Sequence, residues 1–193
     1  MSSKDISLPS VEALEEELQS VRRKRTFSRV LKSTFFSLLV VAAVAVIVAM
    51  LFLPVLQLTG SSMEPTLNND EIVAAFRTAN FKTGDIIAFY FNNNILVKRV
   101  IANSGDWVDI DKDGNVTING TLLDEPYLQE KAFGDCNIAL PYQVPEGRVF
   151  VMGDNRATSI DSRNTAVGCV SSEMVVGKLL LRVWPLNTFG LID

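Results

Sequence analysis

Ser62 stands in the run Thr59-Gly60-Ser61-Ser62-Met63-Glu64-Pro65-Thr66-Leu67, a small-residue turn that displays a hydroxyl, in a chain of 193 residues without a single histidine. A serine acting as a nucleophile here must give its proton to something other than imidazole. The best remaining base is an amine, because a lysine taken out of water can lose its charge near neutral pH. Lys98 is the leading candidate. It lies in Ile95-Leu96-Val97-Lys98-Arg99-Val100-Ile101, and in an extended strand it shares a face with Leu96 and Val100 while Arg99 points the other way with Val97 and Ile101. To work as a base near pH 7 to 8 its pKa must fall about 2 to 3 units from about 10.4, and burial against aliphatic side chains can supply that. The competing reading makes Lys98 and Arg99 edge-strand charges that discourage sheet-to-sheet pairing. A third segment tips the balance: Gly153-Asp154-Asn155-Arg156-Ala157-Thr158-Ser159-Ile160-Asp161-Ser162-Arg163 is dense in turn formers, hydroxyls and alternating charges, directly after the apolar run 149–152. A polar loop on a β scaffold can orient catalytic groups.

The elements that must position these groups begin with the apolar run. No charged residue occurs from Ser33 to Met63, and residues 35–53 (FFSLLVVAAVAVIVAMLFL) are almost wholly apolar, close to the roughly 20 residues that span a bilayer. One transmembrane helix ending near Pro54 is expected. A cleaved secretion signal would have a short basic head and an apolar core of about 7 to 15 residues; here the head exceeds thirty residues and the core is longer, so an uncleaved anchor is expected. Arg22, Arg23, Lys24, Arg25, Arg29 and Lys32 crowd its N-terminal side, whereas the next cation after it is Arg77. The positive-inside rule then puts residues 1–32 in the cytoplasm, residues 33–57 in the membrane and residues 58–193 outside, in the plasma membrane of a cell. The head carries net charge +2 and the external part −6, which disfavours nucleic-acid binding. Ser10 is a plausible N-cap for the head, and Val11, Leu14, Leu18 and Val21 fall on one face, read as a short amphipathic extension of the membrane helix.

The external residues suffice for one globular domain with its own core. Short apolar or β-branched runs at 86–91, 95–101, 116–118, 149–152 and 178–184 alternate with Gly, Asn and Asp turns, and Asn119-Gly120 is a strong hairpin signal because a type I′ turn needs positive φ at both central residues. The fold class expected is mainly β: one N-terminal transmembrane helix, then an extracytoplasmic antiparallel β-sheet domain. Asp109, Asp111, Asp113 and Gly114 mimic half of a calcium loop, but the twelfth position is Gly120 where a glutamate is required; a solvated hairpin tip explains them. Cys136 and Cys169 both fall outside the membrane, where a structural disulfide is favoured over two free thiols.

Taken together, the segments resemble the bacterial type I signal peptidases, membrane-bound serine proteases that remove signal peptides from exported proteins. The likeness runs from the membrane helix to about Asn187 and includes, in order, Gly60-Ser61-Ser62-Met63-Glu64-Pro65-Thr66-Leu67, Gly84-Asp85-Ile86-Ile87, Lys98-Arg99-Val100-Ile101 with Ser104-Gly105-Asp106, Asn119-Gly120 with Asp124-Glu125-Pro126-Tyr127-Leu128, Val144-Pro145-Glu146-Gly147, and the 153–163 loop. The resemblance implies a β domain of signal-peptidase type, Ser62 as nucleophile and Lys98 as general base. It implies that Ser159 hydrogen-bonds and orients the lysine amine, that Met63 packs beneath the site and keeps the lysine dry, and that Gly153, Asp154, Arg156, Asp161 and Arg163 hold the loop together. It implies the Ser62 backbone N–H as one oxyanion donor. Some relatives carry a hydroxyl two residues before the nucleophile; Gly60 occupies that position here, which leaves the second donor unassigned. No metal or cofactor is implied, the partners are the bilayer and the signal peptides of exported pre-proteins cut after Ala-X-Ala, and the single anchor resembles Gram-positive members. Two rivals differ in kind. A soluble Ser-Lys self-cleaving repressor would need a DNA-binding head, and an inactive or specialised homologue in pilus or surface-protein assembly would share the membrane tether.

Overall fold

A computed structural model describes residues 10–192 of the chain, without the side chains at 12, 13, 20, 21, 50 and 51. Residues 1–9 of the head and the Val21 side chain lie outside that description. Helix α1 runs without a break over Val11–Phe52 and stops before Pro54, whose ring cannot continue an α-helix. It contains a segment long and apolar enough to cross a membrane, with none of its surface buried in protein. Phe36 and Val44 are 64% and 54% exposed, so this segment keeps its apolar side chains on the outside of the helix, uncovered by other parts of the protein.

The rest of the chain is β. The strands are β1 (Val55–Gln57), β2 (Ile72–Phe76), β3 (Ile86–Phe91), β4 (Asn94–Ala102), β5 (Trp107–Ile110), β6 (Val116–Ile118), β7 (Thr121–Leu122), β8 (Tyr142–Gln143), β9 (Arg148–Met152), β10 (Val170–Ser171), β11 (Val175–Trp184) and β12 (Gly190–Leu191). The larger sheet has the order β1-β2-β11-β3-β4-β9-β10, with β12 paired to β11, and the smaller has the order β7-β6-β5-β8. All pairings are antiparallel. Strand β3 is buried on both faces. Ile86 and Ala88 join Met63, Leu67, Val73 and Leu179 on one side, while Ile87 and Phe89 join Val100, Val151 and Val170 on the other. A third cluster, built on Ile101, Val108, Val116, Phe150 and Met152, ties the smaller sheet to the larger.

The β3–β4 hairpin sets the position of Lys98. Phe91 pairs with Asn94, so the loop is Asn92-Asn93, both with positive φ (44° and 65°), which asparagine tolerates in a type I′ turn. The register that follows places Lys98 opposite the fully buried Ile87. A slip of one residue would send Lys98 to the opposite face. Asn119-Gly120 closes β6 onto β7 with φ values of 53° and 79°, the turn its sequence calls for. The Asp111 carboxylate accepts from the backbone N–H groups of Asp113 and Asn115, so that acidic tip is closed by its own turn.

Candidate active site

Ser62 is carried by a compact turn. Glu64 N–H donates to Ser61 O and Leu67 N–H to Met63 O, while Met63 and Leu67 sink into the core at 4% and 1% exposure. Burying these two side chains leaves Ser62 above them. Gly60 holds a φ of +93° and donates its N–H to Asn69 Oδ1 at 2.8 Å, a conformation that favours glycine. The Ser62 carbonyl is pinned from across the site by Asn155 N–H at 3.1 Å. Among the described residues no acceptor takes the Ser62 backbone N–H.

Strand β4 delivers Lys98 to the same point. Its Nζ donates to Ser62 Oγ at 2.6 Å, and the residue is 3% exposed. Burial pulls its pKa down from 10.5 to about 8; the Asp161 and Asp154 carboxylates hold it partly up, and the Arg163 guanidinium pushes it further down. An amine in this setting is neutral in an appreciable fraction of molecules near neutral pH and in most above pH 8. The hollow beside the pair is lined by the aliphatic Leu56, Leu58, Ile95 and Val97 together with the polar Thr59 and Asn68 and measures about 130 Å³, small and of mixed polarity.

The 153–163 loop closes the site through three buried ion pairs. Asp161, fully buried, accepts from Gly153 N–H at 3.0 Å, Ser159 Oγ at 2.7 Å and Arg163 Nε at 2.9 Å. Arg163 reaches on to the Phe133 carbonyl at 2.9 Å. Asp154 receives both Nε and Nη2 of Arg99, at 2.9 and 2.8 Å, and Arg99 Nη1 donates to Gly84 O. Arg156 pairs with Glu125 and donates Nε to Gly153 O at 3.0 Å. Each charge is thus met, which is what permits six of them to be buried.

A model of the family "Signal peptidase, peptidase S26" matches residues 30–184, which include the Ser62 turn, β4 and the 153–163 loop. The chain belongs to this family. Signal peptidase I of Bacillus licheniformis is 36% identical over 183 residues, 84% of this chain and 95% of that protein. Signal peptidase IB of Staphylococcus aureus is 36% identical over 151 residues, 67% of this chain and 77% of that protein. A crystal structure of a signal peptidase I from Enterococcus faecalis V583 aligns at 33% identity over 52% of this chain and 97% of that chain, with a TM-score of 0.43. Membership makes the chain a type I signal peptidase, a serine endopeptidase.

Two expectations are corrected in this signal peptidase. Ser159 does not spend its hydroxyl on Lys98. It donates to Asp161 Oδ2, the stronger acceptor because it is ionised, and the hydrogen bond of Lys98 Nζ goes to Ser62. Ser159 therefore reaches the lysine through the Asp161 charge. The cysteines are free: Cys169 packs in the cluster of Val108 and Phe150, while Cys136 sits in the 134–137 loop, whose Asn137 N–H donates to the Arg163 carbonyl.

Sequence reasoning missed the outer brace of the loop. The Tyr127 ring lies 3.9 Å below the Arg99 guanidinium, and its hydroxyl donates to Glu125 Oε1 at 3.1 Å. One side chain thus spans the Arg99–Asp154 and Arg156–Glu125 pairs. Thr66 adds a hydroxyl to Asp154, tying the Ser62 turn to the same loop. The motifs hold Tyr127, Glu125 and Thr66, but no periodicity relates them.

Gly153 is required by space. A Cβ there would overlap Ser159 Oγ and the Ser62 carbonyl oxygen. Gly153→Ala is expected to displace Ser62 and cut kcat by roughly 10- to 100-fold, with a smaller change in KM. An unchanged kcat would show that the turn yields freely.

Proposed function

We propose that Ser62 and Lys98 are the pair with which this chain cleaves signal peptides from exported pre-proteins after small residues. One observation carries the reading: a buried lysine amine lies 2.6 Å from a turn-borne serine hydroxyl. Neutral Lys98 takes the Ser62 proton as Oγ bonds to the scissile carbonyl carbon. The C–N bond then breaks as the ammonium returns that proton to the leaving amine. Water, deprotonated by the same amine, hydrolyses the ester and frees Ser62. The Ser62 N–H, which no acceptor engages among the described residues, is the backbone donor to the oxyanion, a contribution of about 3 kcal/mol in such sites. Gly60 supplies no hydroxyl to assist it. Met63, Gly153, Asp154, Arg156, Ser159, Asp161 and Arg163 act as positioning residues around the pair.

The same proposal extends to topology: residues 1–32 lie in the cytoplasm, residues 33–57 span the plasma membrane and residues 58–193 work outside. Ser62 follows the end of α1 by ten residues, which keeps it near the outer membrane surface, where a signal peptide emerges from its own apolar core. Anchoring both partners in one plane raises their effective concentration.

The deciding experiment is cleavage of a full-length pre-protein with an Ala-X-Ala site, in detergent, by the wild type and by Ser62→Ala. Equal cleavage by both would sink the proposal. A pH series adds a second check. The active form is deprotonated at Lys98, so kcat/KM should rise tenfold per pH unit below about 8 and level off above it. A profile that falls as pH rises from 6 to 8 would contradict an amine base.

A further inference from the structure

Two hollows with no lining residue in common adjoin the Ser62 turn. The first, described above, is walled mainly by residues 56–60 and by β4, with the aliphatic side chains of Leu56, Leu58, Ile95 and Val97 among its walls. The second is a cleft of about 230 Å³ walled by Glu64, Gln129, Glu130, Asn155 and Arg156. It adjoins the nucleophile through the residues that follow it, since Glu64 comes two residues after Ser62 and Asn155 N–H grips the Ser62 carbonyl. A substrate lying across Ser62 must put one flank of its scissile bond in each hollow. The first hollow, about 130 Å³ in volume with aliphatic side chains on its walls, suits the small residues before the cut. The flank after the cut, which opens the exported protein, is then left to the polar cleft.

The cleft has a definite charge. Asp154 and Arg156 at its floor are neutralised by Arg99 and Glu125, whereas Glu64 and Glu130 pair with no cation among the described residues. A second feature points to a peptide: Arg156 is 1% exposed, yet its Nη1 has no acceptor among the described residues. A buried guanidinium nitrogen without an acceptor is costly, and a peptide carbonyl is the kind of group that would satisfy it. We infer that this cleft binds the first two residues after the scissile bond and selects for a cationic side chain there, through Glu64 and Glu130. The inference rests on Ser62 being the nucleophile.

The test uses the full chain in detergent and peptides with one common Ala-X-Ala segment and Lys, Gln or Glu at the second residue after the cut. The Lys peptide should exceed the Glu peptide in kcat/KM by about 3- to 10-fold at low salt, and the ratio should shrink in 0.5 M salt as charges are screened. The ratio should fall towards 1 in Glu130→Gln and further in Glu64→Gln/Glu130→Gln, each normalised to its own rate on the Gln peptide. Equal cleavage of the three peptides by the wild type overturns the inference. A ratio that both variants leave intact removes it from this cleft. If the wild type cuts none of the peptides but does cut the pre-protein, the cleft does not hold these residues in short substrates, and the inference falls while the Ser62–Lys98 pair stands; failure on both removes the pair as well.

Discussion

Lys98→Arg is expected to lose roughly 10⁴-fold or more in kcat, as Ser62→Ala should, because members of one catalytic unit fail together. Arginine keeps the charge and the reach, but a guanidinium does not lose its proton at any workable pH. It cannot accept from the Ser62 hydroxyl that Lys98 Nζ meets at 2.6 Å. Lys98→Met gives the complementary result. The folded pKa of about 8 lies below the ordinary value of 10.5, so between those pH values the unfolded chain binds more protons and stability rises with pH. Below pH 8 the full cost of burying the ammonium is present, about 3 kcal/mol. Replacing the amine by a thioether of similar length should therefore abolish cleavage and leave the domain more stable at pH 7, by about 1 to 3 kcal/mol. Denaturant titration of the two proteins at pH 7 and 10 checks this, and a Met variant less stable at both would refute it. The same comparison separates the catalytic role from a packing role, since packing alone gives no gain on losing the charge.

The second large effect is on the loop. Asp161→Asn should cost about 3 to 5 kcal/mol of stability, the usual penalty for leaving a buried charge unpaired, because Arg163 is fully buried and Asp161 is its ion-pair partner. The surviving activity should also move along the pH axis. The Asp161 carboxylate holds the Lys98 pKa up against burial, so its loss should carry the midpoint of the kcat/KM profile below 8. A midpoint that stays put or moves to higher pH would separate Asp161 from the lysine. Asp161→Asn combined with Arg163→Met removes the orphaned charge and should recover much of the stability, and because the Arg163 guanidinium pushes the Lys98 pKa down, it should also bring the midpoint part of the way back up.

Much of this architecture can be read in the residues because local chemistry dictates it. Asn119-Gly120 demands positive φ, the apolar runs at 86–91 and 95–101 demand burial, and Pro54 stops the helix. Strand β2 is harder to see because Ile72–Phe76 is only five residues long and has two alanines, poor strand formers, at its centre. Strand β8 is two residues long and exists only because β5 offers it an edge. At the site, Ser62 and Lys98 stand out as a candidate pair because the absence of histidine narrows the choice of base, and the structure brings them to 2.6 Å. What escapes is the pairing between distant groups. Whether the Ser159 hydroxyl turns to Lys98 or to Asp161 depends on where a carboxylate lands in three dimensions. Likewise, nothing near Tyr127 in sequence announces a guanidinium over its ring, and spacing alone cannot tell that the two thiols end in different packing environments.

The order in which the chain supplies its parts has a further consequence. The Ser62 turn follows closely behind α1 in the chain, Lys98 comes 36 residues later, and the hydrogen bond from Thr66 to Asp154 joins residues 88 positions apart. With Ser62 as the nucleophile proposed above, a centre begun early in the chain but completed only by the 153–163 loop is inert until that loop has been made and has folded. Long-range closure of this kind is slow relative to local structure. The chronology of folding thus serves this protease as other proteases are served by a removable pro-segment: no competent centre exists until the 153–163 loop has closed on the Ser62 turn.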